Sequence, residues 1–302
     1  MEETLKKTEV QEEIRCIQDT SDEYPERLRR LPNMPREIYV KGKLPDDKKP
    51  SIAIVGARMC SAYGRIQAFH YANVLSKAGV QVISGMAYGI DSEGHRGALE
   101  GGTPTYAVLG NGVDICYPAR NKSLYHRITR ENGGIISEYP PGTRAQTYYF
   151  PARNRIISAL ADIVLVVEAK VKSGSLITAQ YALDQGKFVY AVPGPVNEKL
   201  SEGCHKLIYD GAGIAYSPEI LLSEWGILEN FNEKDEAKEN FVLASELKLV
   251  YSCLDLRPKM LDEFVHETGF PPEKVSNFLL ELELMGLIKE TGRHYYVKVK
   301  DI

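Results

Sequence analysis

Between residues 51 and 223, short apolar runs alternate with longer stretches of helical periodicity. The runs occupy residues 51–56, 80–84, 105–109, 134–137, 162–168 and 188–193, each rich in Val and Ile and bounded by Gly, Pro or Ser. Strands that are apolar on both faces belong to a parallel sheet covered by helices. The intervening segments 63–77, 92–100, 122–131 and 175–185 read as those helices. The alternation predicts an α/β fold with a doubly wound, mostly parallel sheet.

The C-terminal stretch has a different rhythm. Segments 245–255, 259–268 and 272–285 carry apolar residues at helical spacing. Residues 287–290 and 294–298 then flank Thr291-Gly292-Arg293, a compact hairpin signal. Three helices and a hairpin predict a winged-helix module, a helix-turn-helix variant. Its third helix carries Glu273, Glu281 and Glu283 against a single Lys274, with Val275, Phe278, Leu279 and Leu282 as its core side. An acidic helix is repelled by phosphates, so a protein-facing or auxiliary role is expected of it. The hairpin's Lys289, Arg293, Lys298 and Lys300 could still touch a backbone.

Residues 1–50 contain five prolines (Pro25, Pro32, Pro35, Pro45, Pro50) and one short apolar run, Ile38-Tyr39-Val40. They predict an arm packed on the main body. The charge-rich stretch 229–240 predicts a linker. The expected division is therefore an arm (1–50), an α/β domain (51–226), a linker (227–244) and a winged helix (245–302).

Composition narrows the function classes. The chain has 302 residues, 43% hydrophobic and 26% charged, with no apolar stretch of 18 residues, so no membrane-spanning helix is expected. The acidic, mixed N-terminus has no apolar core of a secretion signal. Five scattered cysteines without a C-x-x-C pair argue against a disulfide framework or zinc ribbon and fit a reducing cytoplasm. The net charge of −4 hides a gradient: residues 51–223 carry +3 and residues 224–244 carry −4. Local field decides where a polyanion sits, so nucleic acid stays open.

Ligands of open α/β sheets bind beyond the carboxyl ends of the strands. Glycine turns there admit anions to backbone N–H groups, and arginines neutralise phosphate. The candidates by this criterion are Gly56 and Arg58 after the first run, Ser84 and Gly85 after the second, and Arg120 and Asn121 after the third. Lys172, Ser173, Gly174 and Ser175 follow the fifth. The segment 148–158 adds three aromatics, Tyr148, Tyr149 and Phe150, running into Arg153, Asn154 and Arg155, a combination suited to unpaired bases and their backbone. A core role for Phe150 and a pairing of Arg155 with a carboxylate such as Glu168 compete with that reading. No G-x-G-x-x-G, P-loop, metal-ligand spacing or nucleophile–base pair is present, so no cofactor, metal or catalytic residue is expected.

These segments together resemble the DNA-processing protein A (DprA, or Smf) family. The resemblance rests on YP at 24–25, YVKG at 39–42, IVGAR at 54–58, SGMAYGID at 84–91, and YPARN at 117–121. It continues with SEYPPG at 137–142, FPARNRII at 150–157, SGSLITA at 173–179 and VPG at 192–194. It covers residues 24 to about 222 together with the winged-helix tail. It implies an extended Rossmann-like domain that binds single-stranded DNA, a homodimer, and a role in protecting incoming strands and loading the RecA recombinase during natural transformation. It implies DNA contacts for Arg58 and Arg120. Gly203-Cys204-His205 departs from the family's usual G-[ST]-N. Two other readings are weighed against it. One is a nucleotide-processing enzyme like the nucleoside-monophosphate phosphoribohydrolases, whose P-G-G-x-G-T-x-x-E motif is missing here. The other is a winged-helix transcriptional regulator.

Overall fold

A computed structural model describes residues 13–228, 245–254 and 258–298. The acidic N-terminus, the expected linker at 229–240, the helix end at Asp255 and the hairpin's Lys300 lie outside the described residues. The chain divides into two compact units, one built on a nine-stranded sheet and one C-terminal.

In the larger unit, the first strands are β1 (Ile14–Gln18), β2 (Glu37–Gly42) and β3 (Ser51–Val55), with the short helix α1 (Glu26–Arg29) between the first two. Then come α2 (Ala62–Lys77), β4 (Gln81–Ser84), α3 (Ile90–Gly101), β5 (Thr105–Leu109), α4 (Lys122–Arg130) and β6 (Gly134–Ser137). The unit closes with α5 (Tyr149–Leu160), β7 (Ile163–Val166), α6 (Gly174–Asp184), β8 (Phe188–Ala191), α7 (Glu202–Tyr209), β9 (Gly213–Ile214) and α8 (Pro218–Glu224). The strand order is β1-β2-β6-β5-β4-β3-β7-β8-β9. Strands β3 to β9 pair in parallel, and β1 and β2 add an antiparallel edge beside β6.

Every residue of β3, β4, β5, β6 and β7 is buried, as a sheet covered on both faces requires. Side chains alternate between the covers. Tyr106 and Val108 of β5 join a cluster containing Ile156 of α5 and Ala179 of α6. Ala107 and Leu109 join one containing Leu99 of α3 and Leu124 of α4. The four helices expected between the runs are present with ends within two residues of expectation.

Helix α5 and strand β1, like the short α1, β9 and α8, lack a counterpart in the sequence reading. Helix α5 buries Arg153, Ile156, Ile157 and Leu160 at helical spacing; with an arginine at the first core position, the periodicity does not read as apolar. Strand β1 alternates weakly among charged neighbours and pairs with β2.

The smaller unit comprises α9 (Ser245–Ser252), β10 (Lys259–Met260), α10 (Leu261–Thr268), α11 (Pro272–Leu284), β11 (Ile288–Gly292) and β12 (Tyr295–Lys298). Its sheet order is β10-β12-β11. Its core gathers Leu247, Val250, Phe264, Val275, Leu279, Leu282 and Leu287, the arrangement of a winged helix. Residues 259–260, expected at a helix start, are instead a strand paired to β12. The helix begins after Met260, whose N–H donates to the Glu263 carboxylate at 2.6 Å. The hairpin turn lies at Arg293-His294, because β11 runs on to Gly292 through an irregularity after Glu290, and His294 takes φ 63°.

His95 of α3 is fully buried, its Nδ1 2.8 Å from the Thr105 hydroxyl, which itself donates to the Val82 carbonyl at 2.7 Å. Burial pushes the imidazole from its ordinary 6.5 down to about 3, with Arg153 and Arg96 adding to the shift. The unfolded chain therefore takes up a proton near pH 6.5 that the folded chain refuses until about pH 3. The stability held by the neutral ring is full above that upper pH and is lost as pH falls through the window. Urea melts between pH 7 and 4 should show the native protein losing stability more steeply than His95→Gln, by up to about 1.4 kcal/mol per pH unit. Parallel profiles would contradict a ring buried in its neutral form.

Candidate nucleic-acid interface

The chain leaves β3 through α2 toward β4 on one side, and leaves β7 through α6 toward β8 on the other. The loops after these neighbouring strands diverge, and such a switch point leaves a crevice. Here it is an open cleft of about 250 Å³. Gly56 and Arg58 line it after β3, Asp91 in the first turn of α3, Phe150, Arg153 and Asn154 on α5, and Ser173, Gly174 and Ser175 at the start of α6. A Cβ at Gly56 would lie 2.9 Å from the Glu168 carbonyl oxygen and 2.6 Å from the Ile90 side chain, so only glycine fits between the two loops.

The inner wall is built around Arg153, which is 4% exposed. Its Nη1 donates to the carbonyls of Gly85, at 2.9 Å, and Val108. Asp91 accepts the N–H groups of Gly85 and Ala87 at 3.2 and 3.3 Å. Burial raises the Asp91 carboxyl, opposed by Arg153 and those two amides. Burial likewise lowers the Arg153 guanidinium to about 10, opposed by Asp91. Each ion makes the burial of the other tolerable. Asn121, also buried, donates to the Met86 carbonyl at 2.8 Å and the Ser92 hydroxyl at 2.9 Å. The loop after β4 is thus tied from three sides, and it holds Met86 at φ 61°, a left-handed conformation sustained only by such surroundings.

Several expected site residues are therefore spent inside the protein. Ser84 donates to the Ile54 carbonyl at 2.6 Å. The Gly85 N–H, expected to face an anion, is taken by Asp91. Asn121 points inward rather than to the rim. Arg155 does not line the cleft; it forms a two-pronged ion pair with Glu138 at 2.7 and 3.1 Å, not with Glu168. Glu168 is buried, and its backbone carbonyl accepts the Ala57 N–H at 2.7 Å. The departure at Gly203-Cys204-His205 lies inside α7. There burial pushes the Cys204 thiol up to about 12, and His205 Nε2 sits 2.9 Å from the Gly194 carbonyl.

The rim is different. Arg58 is exposed, its guanidinium 5.3 Å above the Phe150 ring. Phe150 stacks on Tyr117 with centroids 5.4 Å apart, and Arg58, Tyr88, Tyr117 and Phe150 share a second, smaller depression. Tyr139, Tyr149 and Tyr148 form a further row, with centroids 3.9 and 4.5 Å apart. Tyr148 is 67% exposed, Tyr117 45% and Tyr88 40%. Sequence reasoning left Tyr88, Tyr117 and Tyr139 out of the site, although each lies within a quoted rim motif. Gly174 and Lys172 are exposed, and Ser173 caps α6 by accepting the Ser175 N–H at 3.4 Å. The Asn154 amide donates to the Gly174 carbonyl at 3.2 Å. The positive pole of α6 therefore opens beside Arg58 across the cleft. Arg120 is exposed on the turn Ala119–Asn121, outside the cleft lining.

Among the described residues, no group of three or more His, Cys, Asp or Glu side chains could hold a metal ion. The hydroxyls of Ser173 and Ser175 lie 2.7 Å apart and bond to each other. Among the described residues, no helix is long and apolar enough to cross a membrane.

The family model for DNA recombination-mediator protein A matches residues 15–226, and that for the DprA winged helix domain matches residues 234–292. The chain is 41% identical over 204 residues to DNA processing protein DprA of Streptococcus pneumoniae, covering 68% of this chain and 72% of that protein. It is 36% identical over 275 residues to Protein Smf of Escherichia coli, covering 89% and 73%. Among solved structures, DprA from Streptococcus pneumoniae superposes with a TM-score of 0.66 at 38% identity, covering 71% of this chain and 75% of that one. DNA processing protein A from Helicobacter pylori, whose structure describes a single-stranded DNA binding mode, gives 0.63 at 28% identity, covering 70% and 95%.

Asn121→Ala removes two buried donors and leaves the Met86 carbonyl without this partner. The variant should unfold in urea about 1–3 kcal/mol more easily, with faster amide exchange confined to the loop around Met86. Unchanged exchange there would mean that Asn121 does not hold the loop.

Proposed function

We propose that this chain, which belongs to the DNA recombination-mediator protein A family, binds single-stranded DNA without sequence preference along the carboxyl-end rim of its sheet. The observation that carries this reading is the Arg58 guanidinium lying on Phe150, stacked in turn on Tyr117, across the cleft from the start of α6. The aromatic faces offer stacking to any base, because every base has a π-face. Arg58, Lys172 and the α6 terminus offer charge to the phosphates between those bases. Arg120 adds attraction from outside the cleft. Arg153 and Arg155 act one step removed: the first holds the loop after β4, and the second, paired with Glu138, holds α5 in place. The single-stranded DNA binding described for the Helicobacter pylori relative supports the same reading.

The protein acts in this proposal as a binder rather than an enzyme, with no cofactor or metal. Asp91, the acid nearest the cleft, is engaged by backbone amides and Arg153. It works in the cytoplasm as a homodimer, protecting incoming strands and delivering them to RecA. Residues 1–50 serve as an arm whose strands β1 and β2 extend the sheet of the 51–226 domain, and residues 227–244 link that domain to the winged helix at 245–302.

Fluorescence anisotropy with single-stranded oligonucleotides of several sequences tests the rim. Arg58→Glu should weaken all of them alike, and Arg120→Glu should do so less. The slope of log affinity against log salt should fall by roughly 0.7 for each lost contact. Equal affinity for the native protein and Arg58→Glu would overturn the assignment.

A chain ending at Asn240 should retain most of its single-strand affinity. A folded, dimeric truncation that no longer binds would make the tail the anchor instead.

A further inference from the structure

We propose that the outward face of α11 in the winged-helix unit docks a basic amphipathic helix of a partner protein. In a DNA-reading winged helix, this element enters the major groove with cationic and amide side chains foremost. Here Val275, Leu279 and Leu282 turn into the unit's own core. The other side presents Leu280 at 56% exposure and Leu284 at 81%, one turn apart on a single stripe, with Met285 just beyond. Exposed carboxylates at Glu273 and Glu281 flank the stripe, and Glu290 stands exposed on the adjoining strand β11.

The helix's one basic side chain, Lys274, is already paired. The Lys274 ammonium pairs with Glu246 at 2.6 Å and lies over the rings of Phe270 and Phe278 at 4.6 and 5.7 Å. The negative pole of α11 falls at its C-terminal end, where Leu284 and Met285 are exposed, and adds to the carboxylates.

This charge pattern selects the occupant. A nucleic-acid backbone and an anionic membrane would both meet like charge. A second copy of the same face would set Glu281 and its neighbours against one another. A helix with apolar residues at i, i+4 and i+7, bordered by Lys or Arg, meets both features: its apolar side covers Leu280 and Leu284, and its cations face the carboxylates.

The experiment uses the full chain and a fluorescein-labelled 18-residue synthetic helix with a leucine face bordered by lysines. The controls are the same peptide with glutamate at every lysine position and a duplex oligonucleotide. Saturable binding of the lysine peptide is expected. Both Glu281→Lys and the double variant Leu280→Ser, Leu284→Ser should weaken it about tenfold or more. Glu202→Lys, an exposed charge change on α7, should leave it unaltered. Circular dichroism melts and sedimentation of each variant check fold and assembly. The proposal is overturned if the α11 variants bind the peptide as well as the native chain does, or if Glu202→Lys weakens binding as much as they do. It is equally overturned if the glutamate peptide binds as tightly, if the α11 variants lose duplex binding instead, or if the double variant disrupts self-association.

Discussion

The burial of one guanidinium organises the candidate site. Taking Arg153 out of water is costly, and the cost is offset only where carbonyls and a counter-charge already converge. The carbonyls of Gly85 and Val108 and the Asp91 carboxylate supply that convergence. Their positions tie the ends of β4 and β5, the first turn of α3 and the outer turn of α5 to a single point. The glycine at position 85 follows from the same constraint, because a Cβ there would lie 2.7 Å from the guanidinium nitrogens. A lysine could not replace the arginine on equal terms, since its single ammonium could not serve the two carbonyls held by Nη1 and also the Asn154 Oδ1, which accepts from Nε at 3.2 Å.

With the inner wall fixed in this way, the outer rim is left for a ligand. Asp91, Asn121 and Ser84 spend their polar groups on backbone partners, so the rim's chemistry comes from Arg58, its aromatic platform and the start of α6. A surface of stacked rings and one cation is tolerant of base identity and firm about charge. The two units carry opposite electrostatics. The body between residues 51 and 223 is net positive, whereas residues 245–302 sum to −2 and set acids on the helix that a DNA reader would make basic. That contrast suits a division of labour between polyanion binding and protein contact.

The sequence by itself determined the parallel middle of the sheet, β3 to β8. Runs of Val and Ile at 51–56, 105–109 and 162–168 can be stable only when covered on both faces, and periodicity is a local property that survives without knowledge of neighbours. The turns carrying Arg58 and Ser173-Gly174-Ser175 were legible for the same reason, since strand ends in such a sheet must share one rim. The winged-helix tail was legible from its three amphipathic helices and hairpin.

Only the tertiary structure decided what each arginine does. Arg153 and Arg155 are two residues apart on α5. One meets a carbonyl 68 positions away in sequence and the other a carboxylate 17 positions away, while Asn121 reaches back 35 positions to Met86. Helix α5 itself was hidden because its first core position holds a charge, which reads as surface until its partners are in place. The physical reason is common to all of these. Apolar burial is non-directional and can be read from pattern, but the fate of a buried charge depends on hydrogen-bond partners that only the folded chain brings within reach.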